Sequence, residues 1–267
     1  MRSKKACGGL PGTSFADRVI DLQQAVLLGA LFFAASVLYS SVGHGGASGY
    51  LAAMGLFGVA PAVMRPTALV LNIAVASISL YKFSRASGFR WRLFWPFAVA
   101  AVPMAFVGGR IQLPIVWFGI LVGCVLLFSA VRLFIETLVD EKRVRTVEGP
   151  PPIALALVLG SAIGMLSGLT GVGGGIFLSP LLVLTGWATV RDSAAPTAAF
   201  VLVNSVSGLL GLLSRQPTLP DALPYWVAAV IVGGLIGASY GSRRLGNNAM
   251  RQALAVVLVI AGAKMIL

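Results

Sequence analysis

Charged residues punctuate this chain and leave long stretches between them. None occurs from residue 22 to 64 or from 149 to 190, and a helix crosses a bilayer with about 20 apolar residues at about 1.5 Å each. Each run has room for two segments. Glycine interrupts both near the middle: Gly43, Gly45, Gly46 and Gly49 in the first, Gly168, Gly171, Gly173, Gly174 and Gly175 in the second. The pattern predicts a full crossing and then a short piece in each run, over 22–42 and 50–60, and over 153–169 and 176–187. Three more apolar stretches follow each pair, at 66–81, 93–109 and 111–135, then at 193–214, 222–242 and 249–267.

The two halves match at one offset. Moving 130 positions carries Val42 and Gly43 onto Val172 and Gly173, Pro66, Thr67 and Ala68 onto Pro196, Thr197 and Ala198, and Ser84 and Arg85 onto Ser214 and Arg215. The organisation read from this is a tail over 1–21, a first membrane repeat over 22–136, a cytoplasmic linker over 137–152 and a second repeat over 153–267. The stretch from Arg132 to Pro152 is read as solvated, ending in a helix stop at Pro150, Pro151 and Pro152.

Basic residues set the orientation. Lys82, Arg85, Arg90 and Arg92 mark one loop of the first half, whereas Arg243, Arg244 and Arg251 mark the following loop of the second. If all five segments of each half cross, the second repeat is inverted and these loops share the cytoplasmic side with the linker. An alternative makes the short pieces re-entrant and the repeats parallel, and it strands the second basic loop outside. The expected fold is therefore an all-α polytopic membrane protein of two inverted repeats, the second segment of each short or broken at a glycine-rich loop. The first hydrophobic segment lacks the layout of a cleaved signal and is expected to be retained.

Composition agrees: 58% of the residues are apolar and 10% charged, against about 25% charged in soluble domains. The net charge of +12 would suggest nucleic acid on a soluble chain; here it reads as topology. Cys7 and Cys124 lie far apart and imply no disulfide framework or metal cluster.

Broken backbone at membrane depth is tolerated only where protein or a wet cavity surrounds it. A half-helix starting after the glycines would aim its N–H groups and positive dipole end inward, which suits an anion, and inverted-repeat transporters bind substrate at such breaks. Close helix packing is the alternative use of small residues.

Gly171-Val172-Gly173-Gly174-Gly175, with Ser179-Pro180-Leu181-Leu182 and Gly186, resembles the glycine signature of the TauE/SafE (sulfite exporter) family of membrane permeases. Ser41-Val42-Gly43-His44-Gly45-Gly46-Ala47-Ser48-Gly49, with Arg65-Pro66-Thr67 and Asn72, resembles its first-repeat counterpart. The resemblance implies a multi-pass permease of the bacterial inner membrane, moving sulfite, sulfonates or related oxyanions, or in some members carboxylate-type anions. The sequence departs from a symmetric pattern by carrying His44 where the second repeat has Gly174.

The expected binding set is the two glycine loops (Gly43, Gly45, Gly171, Gly173, Gly174, Gly175) with Ser41, His44, Ser48, Arg65, Thr67, Asn72, Thr170, Thr197 and Asn204. His44, the only histidine, is read as a substrate or proton-coupling group or as an imidazole bonded to a loop carbonyl. Arg65 and Arg191 are each read as an anion attractor near the cavity mouth or as an interfacial anchor, and Arg191 also as ion-paired with Asp192, itself an N-cap candidate. No cofactor or metal is implied. Membrane lipid and a small anion are the expected partners, with a coupling ion and a homodimer left open. A passive anion channel is the rival function. Gly46-Ala47-Ser48-Gly49 also fits an intramembrane serine hydrolase pattern, with His44 four residues upstream for a dyad if the loop were helical.

Overall fold

The computed structural model describes residues 21–138, 151–214, 219–242 and 248–266. Its regular structure is helical throughout: α1 (Leu22–Ser40), α2 (Ala47–Leu56), α3 (Pro61–Ser87), α4 (Trp91–Arg110), α5 (Ile115–Leu138), α6 (Ile153–Thr170), α7 (Gly175–Leu184), α8 (Val190–Leu213), α9 (Leu223–Gly241) and α10 (Asn248–Ile266). Among the described residues, seven helices are long and apolar enough to cross a membrane: α1, α3, α4, α5, α6, α8 and α9. The chain is a multi-pass membrane protein. The two short helices, α2 and α7, begin at the two glycine loops. Most of the tail, the centre of the linker, and Arg243 and Arg244 lie outside the described residues, as does the side chain of Arg251.

Several boundaries differ from expectation. Pro66 does not open its segment; it sits inside α3, as Pro196 sits inside α8, where neighbouring helices compensate the lost amide bond. α3 starts earlier, with Pro61 in its first turn, where its missing N–H costs nothing. α8 is capped by Thr189, whose hydroxyl accepts from Asp192 N at 3.2 Å. Asp192 is therefore not the N-cap, and its carboxylate pairs with Arg90 at 3.0 Å, not with the exposed Arg191.

α3 and α8 form the centre, burying 61% and 67% of their apolar spans against 28–44% for the others. They run antiparallel: Leu69 approaches Gly208, Asn72 lies near Val201 and Ser205, and Phe83 clusters with Ala194 and Ala195. α5 and α10 are also antiparallel, with Gly119 against Met265 and Gly123 against Gly262. The pairs α4 with α6 and α1 with α9 are parallel. Gly160, Gly164 and Gly168 meet Phe97, Ala101 and Ala105, while Gly233, Gly237 and Gly241 meet Phe33, Val37 and Ser41. In each pair a side chain on the glycine would collide with backbone atoms of the partner, so small residues set the approach, as is common where lipid supplies no hydrophobic drive. Outward faces stay apolar, and Trp91, Trp117 and Tyr225 stand exposed near helix starts, the positions of an interfacial aromatic belt.

Candidate functional site

Helix α1 ends in turns held by Gly43 N donating to Ser40 O at 3.2 Å and His44 N to Tyr39 O at 2.9 Å. Gly46, at φ 95°, then caps α2. On the other side Gly171 (φ 83°) stops α6, and Gly174 (φ 82°) caps α7. These are left-handed conformations that glycine adopts without a Cβ penalty, which is why each break falls where the sequence has a glycine cluster. Neither cap residue offers a side chain to the first turn of its short helix. Two sets of first-turn amides are thus left to other partners inside the protein.

The breaks lie side by side against the middles of α3 and α8. Gly45 abuts Asn72 and Val201, Gly173 abuts Asn72, Ser205 and Val201, and Gly175 abuts Val201, Thr197 and His44. Between them is a cavity of about 10 Å³, lined by Tyr39, the His44–Ser48 stretch, Val172, Gly175, Ile176 and Val201. It holds about one water. The starts of α2 and α7 both face it, so both positive helix ends converge on one point.

His44 is buried in the first break. Its Nδ1 lies 3.1 Å from Val42 O and its Nε2 lies 3.0 Å from Nη1 of Arg132. A carbonyl only accepts and a guanidinium only donates, so Nδ1 carries the hydrogen and Nε2 presents a lone pair. Arg132 also donates to Ile176 O at 3.3 Å and to Ser179 Oγ at 3.1 Å. It thereby ties α5 to the first turn of α7 and to the first break. The linker expectation is corrected here: Arg132 belongs to α5, is half-buried and reaches the site. Its signal was present in the sequence, since it is the first charge after Arg110 and Leu133, Phe134 and Ile135 follow it.

Arg65 is neither at a surface nor at the cavity. It is buried, and its guanidinium donates to Gly168 O (2.7 Å), Ile111 O (3.0 Å), Gly108 O (3.1 Å) and Gly109 O (3.3 Å). It caps the C-terminal ends of α4 and α6 together, where dipoles favour a cation. Asn72 donates to Val172 O at 3.1 Å and so braces the second break from the first repeat. Ser41 donates to Leu38 O, and Thr170 to Leu166 O, each inside its own helix. Gly43 packs on Ala194, Gly171 on the Arg65 backbone, and Gly174 on Phe200 and Ile163. Of the expected set, His44, Gly45, Ser48 and Gly175 line the cavity, with Asn72, Gly173 and Thr197 adjoining. Thr67 and Asn204 are fully buried but do not line it. The hydroxyl of Thr67, that of Thr197 and both amide atoms of Asn204 have no hydrogen-bond partner among the described residues.

Sequence reasoning also missed two tyrosines. Ser48 donates to Tyr39 Oη at 2.6 Å and Tyr50 Oη donates to Gly45 O at 3.0 Å. The conceivable Ser48–His44 dyad is not formed, since Ser48 serves Tyr39, the two ring nitrogens of His44 face Val42 O and Arg132, and the loop between α1 and α2 is not helical.

Residues 27–265 match the family described as Sulfite exporter TauE/SafE. Among relatives, the probable membrane transporter protein y4hK of Sinorhizobium fredii (strain NBRC 101917 / NGR234) is 39% identical, covering 91% of this chain and 98% of that protein. The probable membrane transporter protein MamO of Magnetospirillum gryphiswaldense is 25% identical over 79% of this chain and 40% of its own length. No solved structure matches the chain.

Proposed function

The chain belongs to the sulfite exporter TauE/SafE family of membrane transporters, and on that premise we propose that it is a secondary transporter of a small oxyanion such as sulfite or a sulfonate, acting in the bacterial inner membrane. One observation carries the reading: the N-terminal ends of α2 and α7 open onto a single cavity beside a half-buried arginine. Broken helices whose N-termini converge at mid-membrane are a recurrent way to hold an anion. Uncapped amides are its donors, and each charge-assisted hydrogen bond is worth about 1.5–3 kcal/mol. Ser48 and the guanidinium of Arg132 complete the set.

The repeats are inverted in this reading. Supporting it, α3 with α8 and α5 with α10 run antiparallel. Equivalent helices of two same-direction repeats would run parallel. A cavity with room for about one water cannot hold an oxyanion and gives no continuous pore, which favours a carrier that must open over a passive channel. Transport then consists of one repeat rocking against the other around the paired breaks.

A thermal-shift screen of the purified protein against sulfite, thiosulfate, sulfonates, sulfate and carboxylates tests the site, because a ligand that binds only the folded state raises its melting temperature. A shift with at least one oxyanion is expected; no shift with any overturns the reading. In liposomes a carrier saturates and shows counterflow, whereas flux that follows voltage without saturating would make it a channel.

A further inference from the structure

Arg132 and a proton compete for the same lone pair on His44, and we propose that this makes the transporter a proton–anion symporter with His44 as its proton site. The proposal rests on the anion reading above and adds the coupling ion. The geometry permits one tautomer only, with hydrogen on Nδ1 facing Val42 O and the Nε2 lone pair receiving Arg132 Nη1. A proton on Nε2 would set two donors and two positive charges against each other at 3.0 Å, so proton loading and the present seat of Arg132 exclude one another.

The same imidazole lines the cavity between the starts of α2 and α7. An anion entering there attracts the guanidinium, whose acceptors Ile176 O and Ser179 Oγ are neutral and can be exchanged for a charged partner. Nε2 is then left as a buried acceptor with no donor, next to new negative charge, and a proton from the entry-side water fills it. The loaded site holds imidazolium, guanidinium and anion. When the anion leaves, Arg132 returns to Nε2 and the proton departs with its counter-charge.

The other groups around His44 do not offer a better carrier. Among the described residues the titratable ones facing it are the phenols of Tyr39 on α1 and Tyr50 on α2, engaged with Ser48 and Gly45 O. α3 contributes the neutral Asn72, while α7 and α8 contribute Ser179, Thr197 and apolar side chains. By linkage, a proton that assists anion binding is in turn bound more tightly when the anion is present.

Calorimetric titration in two buffers of different ionisation enthalpy counts protons taken up per anion. Sulfate, thiosulfate and methanesulfonate serve as probes, because they hold no proton of their own between about pH 5 and 8, the range in which histidine titrates. Uptake of about one proton per anion is expected, with affinity weakening up to about tenfold per pH unit as pH rises. His44→Gln is expected to give no uptake, whatever its affinity. Anion binding without uptake in the wild type, or uptake that persists in His44→Gln, overturns the proposal and leaves the anion site standing. Binding of none of the three overturns both. If the variant does not fold, ¹⁵N-histidine spectra of the wild type decide, since a single histidine gives one ring. The Nδ1–H tautomer must become imidazolium when the probe saturates, and an unchanged tautomer refutes the assignment.

Discussion

In the first break the polar groups are the break's own: His44 within it, Tyr39 before it, Ser48 and Tyr50 in the helix it starts. The second break is bare backbone, left-handed at Gly171, Gly173 and Gly174, and α3 and α5 supply much of its support. Arg65 holds Gly168 O, Asn72 holds Val172 O, and Arg132 holds Ile176 O. At the 130 offset these three correspond to Ala195, Leu202 and Gly262, and His44 to Gly174. The two breaks share a shape and divide the chemistry: the first brings side chains and the second brings amides. A buried guanidinium at both breaks would set like charges close together inside lipid, where burying even one is costly.

That division can be broken at its supports. The largest effect is expected from Arg65→Met, which leaves four carbonyls at two helix ends without their donor. Each buried carbonyl left without a donor costs about 1–3 kcal/mol, so little folded protein should survive extraction, as read by monodispersity and melting in detergent. Arg65→Lys should recover part of the loss. Wild-type behaviour of Arg65→Met would show that the bracing is dispensable.

Gly174→Leu comes next. It forces a side chain into φ 82° against Phe200 and Ile163, at about 1–2 kcal/mol for the conformation and about 1–3 kcal/mol for overpacking. It should also abolish the anion-induced thermal shift, and an unchanged shift would remove the second break from the site. Arg132→Gln should spare the fold, because the residue is half-buried, but weaken anion affinity by about 10- to 150-fold, the equivalent of about 1.5–3 kcal/mol. Equal affinity in this variant would mean that amides alone hold the anion. The smallest effect is expected at the start of α8: Asp192→Asn loses the partly exposed pair with Arg90, worth about 0–1 kcal/mol and screened by salt. A large loss of melting temperature there would show that stability resides in the loops.

The ten segments were legible because they follow from local quantities. Apolar run length decides whether a helix can cross, and glycine at 43, 46, 171 and 174 decides where it must stop. Pro66 misled, because a proline marks a break only when no neighbouring helix stabilises it. Arg132 was assigned to the linker by its nearness to Glu136 and Asp140, although the apolar residues on both sides tied it to α5. Arg65 was noticed but misplaced, since its sequence neighbourhood says nothing about Gly108 and Gly168, the helix ends that receive it.

By itself the sequence determined the solvent, the number of apolar segments and the positions of both breaks, because each depends on residues within a turn or two of one another. Only the tertiary structure decided that the breaks share a cavity, that α3 and α8 oppose each other, and that Arg132 rests on His44. Those contacts join residues tens of positions apart, and their energies arise from burial and charge pairing that exist only once the helices have packed.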